Sequence, residues 1–255
     1  MKTIAIAVGL LALCYVLMAA GLAVRQREFI YHPHLTRVAP VQTDFALDRG
    51  DVRLRGWRMN PGQRDAIIYF GGNAEAIQLM APRLAAWFPG HTVYLLAYRG
   101  YGASDGRPSE AALTSDAVAL NDVVRAAHPA GKITLIGRSL GSGVASHVAS
   151  ARPVDALVLV TPFDSLATVA QFHMRWLPVG WLLRERFDAA RDLANYRGPT
   201  LIIRAVRDEV VPAASTQALV DALPVAPRVV ELRGAGHNTI DLDERFGEAL
   251  RQFVR

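Results

Sequence analysis

The sequence predicts an α/β domain, a mainly parallel sheet with helices on both faces, behind one long apolar N-terminal segment. Three observations carry that expectation. The runs Ala66–Phe70, Lys132–Ile136, Asp155–Val160 and Pro199–Ala205 are short and largely apolar without alternation, as strands buried on both faces must be. Stretches of helical spacing separate them. Between Ile4 and Val24 only Gly9 and Gly21 fall outside the hydrophobic set.

That N-terminal segment comes first in the chain. As a helix its 21 residues would rise about 30 Å, the thickness of bilayer hydrocarbon. A core helix of this length keeps a polar face, and here there is none. The lipid bilayer is therefore its expected partner, through residues 4–24. Two fates fit: a retained single-pass membrane anchor over residues 1–27, or a signal peptide cleaved after Gly21-Leu22-Ala23. Signal-peptide apolar cores run about 7–15 residues, so the length favours the anchor. Lys2 precedes the segment, and Arg25, Arg27 and Arg37 follow it. Counted literally, those charges keep the domain cytoplasmic, but so few do not fix the side of the membrane. Cys14, the one cysteine, is a small apolar residue within the segment, and it excludes an internal disulfide.

The domain is expected over residues 28–255. Asp44–Asp48 and Val52–Met59 read as a hairpin around Arg49-Gly50-Asp51, because Val52 and Leu54 alternate with Arg53 and Arg55. Ala66–Phe70 is a buried strand. Ala74–Phe88 has helical spacing and stops at Pro89-Gly90. Thr92–Tyr98 is a strand. Ser109–Ala127 is a helix with Ser109 as its cap and Pro129 beyond its end. After the Lys132–Ile136 strand comes a glycine-rich turn, Gly137–Gly143, then a helix to about Ser150. Strands at Asp155–Val160, Pro199–Ala205 and Pro227–Leu232, with helices near Ala213–Ala222 and Ile240–Val254, complete the alternation. Residues 163–187 interrupt it. They are rich in Phe, Trp, Leu and Met, with Pro178 and Gly180 in the middle, and are expected to form a small helical cap. Phe172, Trp176, Leu177, Trp181 and Leu182 would line an acyl pocket, dip towards the membrane, or pack onto the domain's own core.

Of the 255 residues, 51% are hydrophobic, which excludes intrinsic disorder. Without the N-terminal segment the figure falls to about 47%, ordinary for one globular domain. The 28 basic against 23 acidic residues give a net charge of +5, with arginine at every basic position but Lys2 and Lys132. These charges are dispersed and often lie beside acids, as in Arg184-Glu185-Arg186 and Arg207-Asp208-Glu209. They are expected on a solvated surface, and nucleic acid is not an expected partner.

Chemistry concentrates at three points. Gly137-Arg138-Ser139-Leu140-Gly141 fits G-x-S-x-G between a strand and a helix, the context that exposes a nucleophilic serine on a sharp turn. A serine hydroxyl needs a base to take its proton. Of seven histidines, His237 in Gly236-His237-Asn238 follows the last strand and precedes the last helix, where a base belongs. Asp208, just beyond the Pro199–Ala205 strand, would hold the imidazole tautomer; Asp164 and Glu209 are the rival acids. An oxyanion hole needs the N–H of Leu140 and a second from the loop Gly71-Gly72-Asn73-Ala74-Glu75. Asn73 is the first choice and Ala74 the second. Arg99–Ser104 would form another wall of the crevice or a structural turn.

The runs FGGNAE, AYRGYGASDGRPSE, GRSLGSG, TPFDS, RDEVVP and GAGHN resemble the α/β-hydrolase superfamily across essentially the whole chain. With Phe29-Ile30-Tyr31-His32-Pro33 they are most similar to its serine-aminopeptidase-like branch with an N-terminal membrane anchor. The resemblance implies an α/β-hydrolase fold and Ser139, Asp208 and His237 as catalytic triad. Two positions depart from the branch: Gly71-Gly72 and Arg204-Ala205 stand where it has His-Gly. The function expected is a serine hydrolase cleaving a carboxylic ester, thioester or amide through an acyl-enzyme, with a small-molecule or acyl substrate. The alternatives are an acyltransferase using the same triad and a non-catalytic membrane-anchored binding protein. No cofactor and no metal are expected, since neither ligand spacing nor a nucleotide-binding motif is present.

Overall fold

The computed structural model describes residues 1–254. Helix α1 runs from Lys2 to Ile30; most of its side chains are exposed, and only Ala19 and Gln26 are buried. It is long and apolar enough to cross a membrane.

The domain follows as β1 (Phe45–Asp48), β2 (Arg53–Met59), β3 (Asp65–Phe70), α2 (Ala81–Trp87), β4 (His91–Leu96), α3 (Glu110–Ala127), β5 (Ile133–Arg138) and α4 (Leu140–Ala151). Then come β6 (Ala156–Val160), α5 (Leu166–His173), α6 (Val179–Leu182), α7 (Ala189–Asp192), β7 (Thr200–Arg207), α8 (Ala213–Ala222), β8 (Arg228–Gly236) and α9 (Glu244–Phe253). The eight strands form one sheet in the order β1-β2-β4-β3-β5-β6-β7-β8. The hairpin edge is antiparallel, and every pairing from β4 to β8 is parallel. Neighbouring residues in a strand point to opposite faces. Ile67 with Ile68, Leu135 with Ile136, and Ile202 with Ile203 are all fully buried, so both faces of the sheet are covered.

Ser109 caps α3 as expected, its hydroxyl accepting the Ala112 N–H at 3.2 Å. Three local expectations are corrected. Helix α2 starts at Ala81, not Ala74, after a short 3₁₀ turn at Ile77–Leu79. Pro82 sits in its first turn, where proline needs no N–H partner. The last helix starts at Glu244, because the Asp243 carboxylate accepts the Arg245 N–H at 3.0 Å and caps it there; residues before it form a 3₁₀ turn, His237–Leu242. Glu185 is not on a solvated surface. It is 3% exposed and holds α1 to the domain. Its carboxylate accepts Arg27 Nε at 2.8 Å, the Tyr31 hydroxyl at 2.6 Å and the Glu110 backbone N–H. Burial and this neighbouring carboxylate push the Tyr31 hydroxyl's pKa far up. The segment containing α5 and α6 divides its packing. Phe163 and Phe187 join the main core, while Leu177 and Val179 pack on Ala19 of α1.

Candidate active site

Ser139 occupies the turn between β5 and α4 with φ +50°, a left-handed conformation that side chains rarely adopt. The glycines around it answer to close contacts. A Cβ on Gly137 would lie 2.3 Å from the Gly141 carbonyl oxygen, and one on Gly141 would lie 2.1 Å from that of Phe70. Hydrogen at position 137 lets β5 lie close to the first turn of α4, and hydrogen at position 141 lets that turn press against the end of β3. Gly141→Ala is expected to lower the melting temperature by at least about 6 °C, an overpacking cost of ~3 kcal/mol. Gly90→Ala, with open space at its Cβ, should leave it within about 2 °C. Thermal unfolding of both variants checks the contrast.

His237 follows β8 and is 5% exposed. Its Nε2 lies 2.9 Å from Ser139 Oγ, and its Nδ1 lies 2.9 and 3.0 Å from the two carboxylate oxygens of Asp208. A register shift between Ala205, opposite Leu232, and Arg207, opposite Gly236, offsets β7 against β8 just before Asp208 and His237. Irregularities of this kind re-aim side chains at strand ends. Asp208 Oδ1 also accepts the N–H groups of Val210 and Val211, at 2.9 and 2.7 Å. An ionised carboxylate on Nδ1 fixes that nitrogen as the donor and leaves Nε2 free to accept from the serine. Asp164 is occupied elsewhere: it accepts from the hydroxyls of Ser215 at 2.5 Å and Thr168 at 2.8 Å. Glu209 is exposed. Other histidines are also engaged away from Ser139: His128 with Tyr94 and the Arg64 carbonyl, His147 with Asp192, and His173 with the Val210 carbonyl.

A cleft of about 230 Å³ opens over Ser139, lined by Gly72, Asn73, Ala74, Arg138, His237 and Asn238 among others. Leu140, the first residue of α4, directs an N–H that has no partner within its helix. The Asn73 side chain does not face the cleft chemistry. It donates to the Ile30 carbonyl at 2.5 Å and accepts from the Tyr101 hydroxyl at 2.7 Å. Only the Asn73 main chain is thus left to serve an oxyanion. The Arg99–Ser104 loop acts as a brace, through Tyr101 and through Gly102, whose N–H donates to Thr36 Oγ1 at 3.0 Å.

Residues to which the sequence assigns no part complete the site. Glu75 accepts the Gly72 N–H at 2.5 Å and the Tyr69 hydroxyl at 2.6 Å. The Arg138 guanidinium lies 3.6 Å from Glu75 and 3.3 Å from Asp241. Burial works to lower the Arg138 pKa, but Glu75, Tyr69 and Asp241 outweigh it and the net shift is upward. This buried ion network fixes the loop that faces Ser139. Its signal lay in the variable position of G-x-S-x-G and in the glutamate of FGGNAE. Among the described residues, no group of three or more His, Cys, Asp or Glu is placed to hold a metal ion.

Comparison with known proteins adds the family. Residues 66–195 match the model of the alpha/beta hydrolase fold. An uncharacterised protein of Mycobacterium tuberculosis is 36% identical over 246 residues, 90% of this chain and 87% of that protein. Alpha/beta hydrolase domain-containing protein 17C of Xenopus tropicalis is 28% identical over 77% of this chain and 64% of its own length. Among solved structures, a Pyrococcus furiosus esterase superposes with TM-score 0.67 at 18% identity, over 85% of this chain and 95% of that one. Est1E of Butyrivibrio proteoclasticus, solved with ferulic acid bound, superposes with TM-score 0.65 at 17% identity, over 83% of this chain and 99% of that one. With the eight-stranded sheet and the turn that carries Ser139, these matches place the chain: it belongs to the α/β-hydrolase fold family.

Proposed function

We propose that this chain is a membrane-anchored serine hydrolase that cleaves a carboxylic ester, thioester or amide through an acyl-enzyme. One observation carries the reading: the hydrogen-bonded sequence Ser139 Oγ, His237 Nε2, His237 Nδ1, Asp208 at the floor of an open cleft. Ser139 Oγ attacks the carbonyl carbon and its proton passes to His237 Nε2. The N–H groups of Leu140 and Asn73 receive the negative charge that develops on the carbonyl oxygen. Nε2 then gives the proton to the departing alcohol, thiol or amine. Water, activated by the same nitrogen, attacks the acyl-serine, and the acid leaves. The family and its esterase neighbour support hydrolysis as the class of reaction.

The test is covalent labelling of the full chain with a fluorophosphonate, followed by hydrolysis of p-nitrophenyl esters of graded length. A stable adduct on the Ser139 peptide is expected. An unlabelled protein, or an adduct on another serine, overturns the assignment.

Residues 4–24 are proposed as the anchor. After an alkaline carbonate wash of membranes, the full-length chain is expected to stay in the pellet. A shortened chain in the supernatant would identify a cleaved signal instead.

A further inference from the structure

Between the last turns of α1 and the segment that carries α5 and α6 lies a second cavity of about 350 Å³. Leu22, Ala23, Phe29 and Ile30 form one wall; Leu166, Ala170, Trp176 and Leu183 are among the residues of the other. Gln26 is the polar exception in its lining, and its amide is fully engaged. Oε1 accepts the N–H groups of Arg184 and Glu185 at 2.7 and 3.3 Å, while Nε2 donates to the carbonyls of Ala23 and Leu182 at 2.5 and 3.4 Å. The Trp176 indole N–H is the one other side-chain N–H or O–H in the lining, so the cavity offers chiefly apolar surface, suited to hydrocarbon. A volume of this order suits a small organic group.

Its position says where the hydrocarbon comes from. The Tyr15 hydroxyl donates to the Trp176 carbonyl at 2.7 Å. Tyr15 stands nine residues before Val24, so the α5–α6 segment runs about 13 Å down the apolar helix. Phe172, Trp176 and Trp181 are exposed on that segment, 47%, 53% and 92% respectively. Exposed aromatic rings beside a spanning helix suit the lipid–water boundary. The opposite end of the cavity approaches the cleft over Ser139, with one hydrogen bond between the two linings. Ile30 lines the cavity, and its carbonyl accepts from Asn73, which lines the cleft. The Glu185 bonds to Arg27 and Tyr31 hold the two walls together.

We propose that this groove takes the hydrocarbon chain of an acyl ester or thioester resident in the bilayer, drawn in sideways with its carbonyl towards Ser139. This rests on the hydrolase reading and adds to it that the membrane helix is itself a wall of the substrate site. The groove is one class of site with one source, a membrane lipid; a water-soluble short ester is the competing outcome.

The experiment uses the full chain in phosphatidylcholine nanodiscs. Ala23→Phe fills the groove from α1 and Ala170→Phe fills it from α5. The readout is the kcat/KM ratio of p-nitrophenyl laurate to p-nitrophenyl butyrate. Because it is a ratio within one sample, partial misfolding does not move it. Each variant is expected to lower the ratio at least fivefold; a smaller fall in either overturns the proposal. In parallel, the Ser139→Ala chain is photo-cross-linked with diazirine-bearing palmitate. Adducts are expected in residues 22–30 and 166–183, and Ala170→Phe should remove them. Adducts confined to residues 4–18 overturn the groove. If no ester is hydrolysed but these adducts form and are removed, the hydrolase reading fails while the groove stands. If esters are hydrolysed without either signature, the groove alone fails.

Discussion

Ser139→Ala is expected to lower kcat/KM towards p-nitrophenyl esters by at least about 10⁴-fold and to abolish fluorophosphonate labelling. The magnitude follows from what would remain. Oxyanion stabilisation and substrate binding survive the loss of one member of a triad and give a residual acceleration of about 10³–10⁴ over water, far below that of an intact site. The fold should be indifferent to the change. The Ser139 backbone bonds to the Val160 carbonyl and to Ser142 are made by the main chain, which alanine keeps. The Ser139 hydroxyl has one side-chain partner, His237 Nε2. A melting temperature within about 3 °C of the wild type is therefore expected. Activity within tenfold of the wild type, measured on protein shown to be folded, would remove Ser139 from the mechanism.

Local pattern made the sheet legible before the structure, and its strand positions needed only adjustments of a residue or a few. Ala66–Phe70, Ile133–Ile136 and Leu157–Val160 are buried on both faces, and that double burial is what a continuous apolar run encodes. Ser139, Asp208 and His237 were legible for a related reason: each ends a strand at the same edge of a parallel sheet, so chain order and strand direction alone bring them near one another. The acid is the member of the three that chain order alone does not single out. Asp164 and Asp208 both follow strands, and what separates them, two hydroxyl partners on one and an imidazole on the other, involves residues distant in sequence.

What stayed hidden depends on contacts between distant segments. Glu185 lies between two arginines and reads as a solvated charge, yet Tyr31 and Arg27, over 150 residues away, bury it. The pairing of α1 with the α5–α6 segment is of the same kind. A helix with no polar face gives no hint of which side meets protein, and here it is Ala19, a small residue that lets the Leu177–Val179 turn approach. The helix expected at Ala74 failed for a local reason that can be named. The loop after β3 is committed to the cleft by Glu75, and Ala74 is held at φ +56°, incompatible with a helix.

Asp208→Asn should be nearly as damaging as loss of the serine in kcat, about 10⁴-fold, while leaving the site's shape intact. Asparagine has the same outline, and its carbonyl oxygen can still accept from Val210 and Val211 as Oδ1 does now. Its other terminus becomes an NH₂ facing His237 Nδ1, a donor where an acceptor stood 2.9 Å away. The retained oxygen also lies within 3.0 Å of Nδ1, but its two lone pairs are taken by Val210 and Val211, so the NH₂ sets the tautomer: the imidazole accepts at Nδ1 and carries its proton on Nε2, directed at Ser139 Oγ. The serine loses its proton acceptor, and the imidazolium loses the carboxylate that would stabilise it. Asp164→Asn is the matched control. It makes the same chemical change at the end of the neighbouring strand, on a carboxylate bonded to Ser215 and Thr168 rather than to the imidazole. Its kcat should fall by less than about tenfold, since what it disturbs is packing between α5 and α8 rather than the proton's path. Measured side by side with one ester, the two variants separate a carboxylate that sets a tautomer from one that holds two elements together. Equal losses in both would mean that Asp208 acts through the fold, and that the base is oriented by something else.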